Sequence, residues 1–251
     1  AREELRAAGF RADCTVVRHL PQPRADRPEA RSLWRSRWAL PADVTVIGMV
    51  GGIKPQKAYP RALRILATLL DRRAVYLVIL GGPVGRDGSL AWRALLAQAV
   101  QLGVERHVRL PGFVADAARC LSAFDVFLNT SRYEGLSMAT LEALAAGLPV
   151  VASRVGGQGE VAAPGLRLLA FDAPDDEWAD AVGAALATRP AKPAWLGFPS
   201  ARLWTLLHLA PPVVPRTGVL FVTANLNGGG AQRSLVNLAC ELAGRIPLAI
   251  A

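Results

Sequence analysis

The sequence predicts an α/β fold in which a doubly wound parallel sheet occupies roughly residues 40–190. Two observations support this prediction. Strand-like apolar runs alternate with helical patterns along this stretch, and the runs are apolar at nearly every position rather than at every second one. Such strands are typical of a parallel sheet that helices cover on both faces. Ligands of these sheets bind at the carboxyl ends of the strands, so the residues that follow each strand are the candidates for function.

Each element follows from a local pattern. The predicted strands are residues 44–50, 74–80, 108–110, 126–129, 149–152 and 166–171. The predicted helices lie between them, at residues 57–71, 88–102, 115–123, 136–146 and 174–188. Gly147 ends the fourth helix and Pro149 begins the next strand, which predicts a tight connection. The acidic residues in 172–177 favour a helix N-terminus over a metal site, because the helix dipole favours acids there.

The regions on either side of this domain break the alternation. Residues 1–20 resemble the tail of a preceding domain, and residues 21–41, with four prolines, resemble a linker. The doubly wound domain is assigned to residues 42–190. Residues 191–216 form a second Pro-rich linker with a short helix, and residues 217–251 contain a new strand, a glycine loop and a helix. Because the chain begins and ends inside predicted elements, we expect it to be a fragment of a longer protein.

The composition narrows the class of protein. Hydrophobic residues make up 52% of the chain and charged residues 20%, which is typical of a globular protein. The net charge of +9 comes mainly from scattered arginines without interleaved aromatics, so we expect no nucleic-acid binding. It does allow peripheral contact with the anionic inner face of a membrane. The three widely spaced cysteines match no metal-binding spacing and favour a reducing, cytoplasmic location. No apolar run is long enough to predict a spanning helix.

Two glutamates, Glu134 and Glu142, follow the fourth predicted strand. Glu134 precedes the next helix, and Glu142 lies about two turns into it. The free N–H groups of a helix start can hold a phosphate, and carboxylates can accept hydrogen bonds from sugar hydroxyls. The alternative is an acid placed by the helix dipole and a solvated helical glutamate. The local pattern alone leaves both interpretations open.

A glycine-rich stretch follows the first predicted strand and leads to a lysine. Gly48, Gly51 and Gly52 allow close backbone approach, and Lys57 supplies a point charge, which together suit a diphosphate. An ordinary turn explains the same glycines. No Gly-x-Gly-x-x-Gly follows this strand, which makes a dinucleotide-dependent dehydrogenase a poor alternative.

The run Tyr133-Glu-Gly-Leu, followed by residues 142–153, resembles the nucleotide-sugar signature of family-4 retaining glycosyltransferases (group 1). These enzymes have the GT-B fold, which is two facing Rossmann-like domains. The resemblance makes residues 42–190 the C-terminal, donor-binding domain and residues 1–20 the tail of the acceptor domain. It implies a hexosyltransferase type of enzyme that moves a sugar from a nucleoside-diphosphate sugar to a glycan, lipid or small-molecule acceptor with retention. It implies no metal or other cofactor, and no activity for this fragment without its acceptor domain.

The resemblance also implies roles for individual residues. Glu134 would contact the donor sugar hydroxyls, Lys57 would contact the diphosphate, and Glu142 would hold the ribose hydroxyls. The remaining donor contacts, made largely by backbone, would be Gly51, Gly52, Gly82, Phe113, Val114, Gly135, Leu136 and Ser137. Members of the family usually have an arginine where Gly52 stands, so this chain departs from the pattern at one diphosphate contact.

The C-terminal region leaves two organisations open. Residues 218–235 resemble the first strand, glycine loop and helix of an acceptor domain of the same family. Their position after the donor domain favours a tandem protein whose second module begins near residue 217, and a permuted single enzyme is the alternative. Two other functions also remain open. A nucleotide-sugar epimerase shares the fold, and a non-catalytic nucleotide-sugar-binding or scaffold module would fit the glycine at position 52.

Overall fold

The computed structural model describes residues 28–188 and 190–193, together with short strands at residues 219–221 and 248–250. Within the first of these ranges, six strands form one parallel sheet. The strands are β1 (Thr45–Val50), β2 (Val75–Leu80), β3 (Val108–Gly112), β4 (Val126–Asn129), β5 (Val150–Ser153) and β6 (Leu166–Leu169). Their order in the sheet is β3-β2-β1-β4-β5-β6, and every neighbouring pair is parallel.

Five α-helices accompany this sheet in the described residues. They are α1 (Pro28–Arg37), α2 (Tyr59–Leu70), α3 (Gly85–Gln101), α4 (Met138–Ala145) and α5 (Asp175–Leu186). Short 3₁₀ segments lie at Pro55–Lys57, Glu105–His107, Ala117–Ala123 and Gly156–Glu160. None of the helices in the described part of the chain is both long and apolar enough to cross a membrane.

The core forms because apolar strand faces meet apolar helix faces. In β2, Val75, Leu77 and Ile79 are fully buried. They belong to one buried cluster with Leu66 of α2 and Trp178 of α5, whose side chains are also fully buried. Burying a side chain of this size stabilises the fold by roughly 1.5–3 kcal/mol. The sequence prediction of a doubly wound parallel sheet is therefore confirmed.

The sheet order places a switch point between β1 and β4. From β1 the chain moves outward to β2 and β3, and it then returns to β4 beside β1 and moves outward in the opposite direction. The loops after β1 and β4 therefore diverge and leave a crevice at the carboxyl ends of these two strands, where ligands of such folds bind. Both sequence motifs identified above lie in these two loops.

The amino ends of the same two strands are held by Asp125. Its Oδ2 accepts hydrogen bonds from Arg35 Nη2 (2.7 Å) and from the backbone N–H of Val46 (2.8 Å), and its Oδ1 accepts from Arg31 Nη2 (2.6 Å). Arg35 also donates to the carbonyl oxygens of Ala123 and Val44, each at 3.0 Å. Burial lowers the pKa of Arg35, and the charge of Asp125 opposes that effect. This cluster attaches α1 to the sheet edge opposite the crevice.

The structure differs from the sequence prediction in a few places. Residues 117–123 wind as a 3₁₀ helix rather than an α-helix, with Ala117, Cys120 and Ala123 buried at a spacing of three that suits this tighter winding. Helix α3 starts three residues earlier than predicted, and β6 ends two residues earlier. Strand β7 (Val219–Phe221) lies within the strand predicted near residue 218. It pairs in parallel with β8 (Leu248–Ile250), which the sequence did not predict.

Several predictions fall outside the described residues. These are the assignment of residues 1–20, residues 21–27 of the first linker, most of the second linker, and the glycine loop and helix of the C-terminal region. Residues 23–194 form one compact unit, and residues 1–22 and 195–251 belong to a second. The tandem-module organisation stays a prediction.

Candidate functional site

Lys57 and Glu134 meet at the crevice between β1 and β4. Lys57 ends the 3₁₀ turn that follows β1, and Glu134 lies in the loop that follows β4. The Lys57 Nζ atom donates to Glu134 Oε1 at 2.5 Å, and Ser131 Oγ donates to the same oxygen at 2.7 Å. The two side chains of the ion pair are only 16% and 9% exposed. Such a shielded pair is stable only when its geometry is good and further hydrogen bonds support it, as Ser131 does here.

Hydrogen bonds to backbone carbonyls fix the two loops against each other. The N–H of Arg132 donates to the carbonyl of Gln56 (2.8 Å), and the Gln56 side-chain amide donates to the carbonyl of Tyr133 (2.7 Å). Thr130 Oγ1 donates to the carbonyl of Lys57 (3.0 Å). The separation of the ammonium and the carboxylate is therefore set by loop geometry as well as by their mutual attraction.

Gly51 provides the space in which the Lys57 side chain lies. It has φ +154°, and a Cβ at this position would lie 2.9 Å from Lys57 Cε. The hydroxyl of Tyr59 donates to the Gly51 carbonyl at 2.7 Å. Burial, and to a smaller extent the charge of Glu134, raises the pKa of Tyr59, so this phenol stays a neutral donor. Tyr59 was not identified from the sequence, since its hydroxyl partner is a backbone carbonyl, which no side-chain pattern indicates.

The start of α4 adjoins the same loop. Ser137 is the N-cap residue of α4, and its Oγ accepts a hydrogen bond from the N–H of Thr140 at 3.3 Å. Gly135 is exposed, and Leu136 is half-buried. The first-turn N–H groups of a helix have no intrahelical partner, so an anion beside Gly135 would face them. Glu142 lies half-buried in the second turn of α4.

Gly52 lies on the other side of Lys57, where the loops after β1 and β2 touch. The N–H of Ile53 donates to the carbonyl of Gly82 at 2.7 Å. A Cβ added to Gly52 would overlap the Val84 side chain, so any larger residue here requires Val84 to move. Val84 is 56% exposed and could move outward. The glycine at this position thus fits a close approach of two loops.

The third loop of this edge carries Phe113 and Val114. The side chain of Phe113 is 78% exposed, and Val114 is half-buried. The backbone N–H of Phe113 lies 3.9 Å from where a Cβ of Gly82 would stand, so this loop adjoins the one after β2. The structure therefore brings Lys57 into direct contact with Glu134 beside Gly51, and it places Gly82 and Phe113 further along the same edge.

Behind the Glu134 loop lies a buried polar cluster, of which sequence reasoning identified only Ser137 and missed the other members. Its members are Asn129, Ser131, Ser137, Thr140, Ser153 and Gln158, each at most 6% exposed. The available signal was the run of polar residues that ends the otherwise apolar strand β4. Buried polar groups of this kind are retained only when they are hydrogen-bonded.

Comparison with known proteins identifies the family. The family model described as "Glycosyl transferases group 1" matches residues 44–188. The chain belongs to this family. Among curated relatives, D-inositol 3-phosphate glycosyltransferase of Saccharomonospora viridis is 37% identical over 176 residues, which are 65% of this chain and 39% of the relative. The chain thus spans about two fifths of the length of the curated relatives it matches.

Solved glycosyltransferase structures share the fold. HepE from Anabaena, whose structure contains UDP-glucose, is 25% identical and has a TM-score of 0.59, with 64% of this chain and 44% of that protein covered. The C-terminal domain of LpcC, a glycosyl transferase group 1 protein of Francisella tularensis, is 22% identical with a TM-score of 0.55. That comparison covers 69% of this chain and 89% of the LpcC domain. The resemblance inferred from the sequence is confirmed for the family and for the fold.

Proposed function

We propose that this chain is the donor-binding half of a glycosyltransferase that moves a sugar from a nucleoside-diphosphate sugar to an acceptor with retention. The observation that carries the proposal is the shielded Lys57–Glu134 pair at the switch point, beside the start of α4. Membership of the group 1 glycosyl transferase family supports it. The similarity to a protein whose structure contains UDP-glucose makes a UDP-sugar the first donor to test.

Lys57 and the first turn of α4 would hold the diphosphate. The ammonium is a compact positive charge, and the helix start adds N–H donors and the positive end of the helix dipole. On donor binding, a phosphate oxygen would replace Glu134 Oε1 as the partner of Lys57. Negative charge on the diphosphate grows as the glycosidic bond breaks, so these contacts strengthen in the transition state and accelerate the reaction. The proposal includes no metal or other cofactor, so Lys57 and the start of α4 would supply this charge stabilisation.

Glu134 would orient the transferred sugar. Among the described residues, both side-chain contacts of this carboxylate fall on Oε1, which leaves Oε2 to accept a hydrogen bond from a sugar hydroxyl. Ser131 would hold the carboxylate in place when Lys57 turns to the phosphate. Glu142 would accept from the ribose hydroxyls, and the exposed backbone at Phe113 and Val114 would face the base.

The acceptor and its binding groups belong, in this proposal, to an acceptor domain of the same protein. A glycan, a lipid and a small molecule are the acceptor classes considered. The proposal also places the protein in the cytoplasm, with peripheral contact to the inner face of the membrane through its net charge of +9. The described cysteine, Cys120, is buried and unpaired, which is consistent with a reducing compartment.

Calorimetric titration of the 251-residue chain with UDP, GDP and ADP would test the proposal. We expect one nucleotide to bind, and we expect Glu142→Ala to weaken its binding. Binding of none of the three would contradict the donor-site proposal and would favour the scaffold alternative. Binding in the full-length protein without sugar transfer would instead favour a non-catalytic nucleotide-sugar-binding module.

A further inference from the structure

Gln158 lies fully buried in the loop after β5, and its amide joins groups from three elements. Its Oε1 accepts hydrogen bonds from Thr140 Oγ1 (2.9 Å) and Asn129 Nδ2 (3.3 Å). Its Nε2 donates to the carbonyl of Ser153 (3.1 Å). The amide is thus satisfied on both its oxygen and its nitrogen without any contact to solvent.

One route from Gln158 leads to the carboxylate of Glu134. Asn129, which Gln158 contacts, accepts a hydrogen bond from the backbone N–H of Ser131 on its Oδ1 (3.0 Å). Ser131 then donates through Oγ to Glu134 Oε1. Ser153 Oγ donates to the Ser131 carbonyl (2.6 Å) and fixes the same residue from the other side. Only two side chains therefore separate the Gln158 amide from the predicted sugar-binding carboxylate.

A second route leads to the first turn of α4. Asn129 Nδ2 also lies 3.0 Å from Ser137 Oγ and 3.1 Å from Thr140 Oγ1. Ser137 caps this helix, and Thr140 is bonded directly to Gln158. The orientation of the helix start, which would face the diphosphate, therefore depends on the same two amides.

The loop that carries Gln158 also presses directly on the Glu134 segment. Gly156 has φ +52°, and a Cβ there would overlap the carbonyl oxygen of Glu134. The N–H of Gly157 donates to the carbonyl of Gly135 at 2.6 Å. Because residues 156 and 157 have no side chains, their backbone can touch the backbone of Glu134 and Gly135. The buried amide of Gln158 anchors that contact.

We propose that Gln158 is a positioning residue of the donor site. It holds the loop after β5, the end of β4 and the start of α4 as one unit, so that the Glu134 carboxylate and the first-turn N–H groups keep a fixed separation. The inference rests on the proposed donor site. Gln158 itself is fully buried and touches no ligand, so it acts through Asn129, Ser131 and Thr140.

Two substitutions separate positioning from packing. Gln158→Met keeps the length of the side chain and removes all its hydrogen bonds. Gln158→Glu keeps the acceptor for Asn129 and Thr140 but, when ionised, has no donor for the Ser153 carbonyl. Burial raises the pKa of such a carboxyl, and its protonated form restores the donor. Asp125→Asn serves as a matched control, because it weakens a buried polar cluster at the opposite edge of the sheet.

Nucleotide affinity and amide hydrogen exchange are measured on the full 251-residue chain. We expect Gln158→Met to bind UDP about tenfold more weakly, because it removes three buried hydrogen bonds that act on the ligand only through neighbouring residues. We expect Gln158→Glu to bind weakly at pH 8 and to approach the native affinity at pH 6, with each value compared with native protein at the same pH. Exchange should accelerate at residues 131–135 and 138–141 in the Met variant, with or without nucleotide. Asp125→Asn should lower the thermal midpoint and leave affinity and exchange in these segments unchanged.

The outcomes distinguish this inference from the proposed function. If native protein binds no nucleotide, the donor-site proposal fails, and the exchange measurement still decides whether Gln158 orders both segments. If Gln158→Met behaves like Asp125→Asn, with a lower midpoint but native affinity and native exchange at these segments, Gln158 is a packing residue and the inference is wrong.

Discussion

The central sheet carries a shielded ion cluster at each end of its strands β1 and β4, which are called here the amino edge and the carboxyl edge. The two clusters differ in how completely they are hydrogen-bonded. At the amino edge, both oxygens of Asp125 are used, and Arg35 donates to three backbone carbonyls besides the carboxylate. At the carboxyl edge, the contacts of Glu134 fall on one oxygen, and Lys57 has a single carboxylate partner among the described residues. Unused hydrogen-bonding capacity, rather than burial, therefore distinguishes the carboxyl edge, which suits a ligand, from the amino edge, which stabilises the fold.

The largest expected effect is on stability, at the amino edge. Asp125→Ala leaves the buried guanidinium of Arg35 without its counter-ion, which should lower the free energy of unfolding by about 3–5 kcal/mol. Urea denaturation at pH 7 measures this loss. Asp180→Ala is the matched control, because Asp180 pairs with Arg72 in solvent and its removal should cause no measurable change. Equal losses in both variants would mean that Asp125 contributes no more than a surface charge.

Lys57→Met should have the next largest effect, on binding. Loss of a charge-assisted hydrogen bond to the diphosphate predicts an affinity for the bound nucleotide that is about 10–100-fold weaker, with a smaller dependence on salt. Calorimetry at two ionic strengths measures both quantities. Lys54→Met is the control, since it removes the same charge three residues earlier in the same loop. If both variants lose affinity equally, the lysines share the diphosphate and the ion pair does not define the site.

Glu134→Gln should affect binding and transfer in opposite directions. The neutral amide no longer competes for Lys57, so nucleoside diphosphate should bind as well as or better than it does in native protein. Transfer by the full-length protein should fall about 100-fold, a typical cost of losing a contact to the reacting group. A glycosyl-transfer assay and a binding titration on matched samples would test this. Weaker nucleotide binding would show that Glu134 serves mainly to hold Lys57.

The smallest expected effect is a loss of folding stability at alkaline pH, which arises from the Cys120 thiol. Burial raises the pKa of the Cys120 thiol from about 9 to about 12. The folded state therefore holds this proton more tightly than the unfolded state does. Its contribution to stability is complete below pH 9 and declines as the pH rises toward 12. Urea midpoints measured between pH 8 and 11 should fall, and Cys120→Ala should reduce the slope of that fall. An unchanged slope in the variant would assign the loss to other groups.

The sequence was sufficient to predict the fold and to name Lys57 and Glu134, but it did not predict that these two residues are in contact. Continuous apolar strands such as β2 have no stable place except between two helical layers, so the parallel sheet could be predicted from composition and order. Lys57 and Glu134 could be named as candidates because each follows a strand, and strand ends of a parallel sheet lie at one edge. Their roles came from the family resemblance, since the local pattern left other interpretations open. Their direct contact depends on which strands are neighbours, and β1 and β4 are adjacent only after the sheet order is known.

The Gln158 cluster shows why the rest was not predictable. Its partners Asn129 and Thr140 lie 29 and 18 residues away, and local patterns carry no information about such pairings. Tyr59 was missed for a different reason, because its hydroxyl acts on a backbone carbonyl eight residues earlier, and a backbone acceptor leaves no mark in the side-chain pattern. The 3₁₀ winding of residues 117–123 was missed because buried residues three apart fit either type of helix.

The length of strand β4 limits which sequence changes this protein can tolerate. Asp125 stands immediately before it and Asn129 is its last residue, so about 13 Å of extended chain joins the Asp125 cluster to the buried polar cluster behind the Glu134 loop. All four of its residues are buried. Inserting or deleting one residue would turn every side chain to the opposite face and dismantle both edges together. Single substitutions can alter one edge at a time, whereas length changes in this strand cannot, so the spacing of β4 should tolerate less variation than any of its individual side chains.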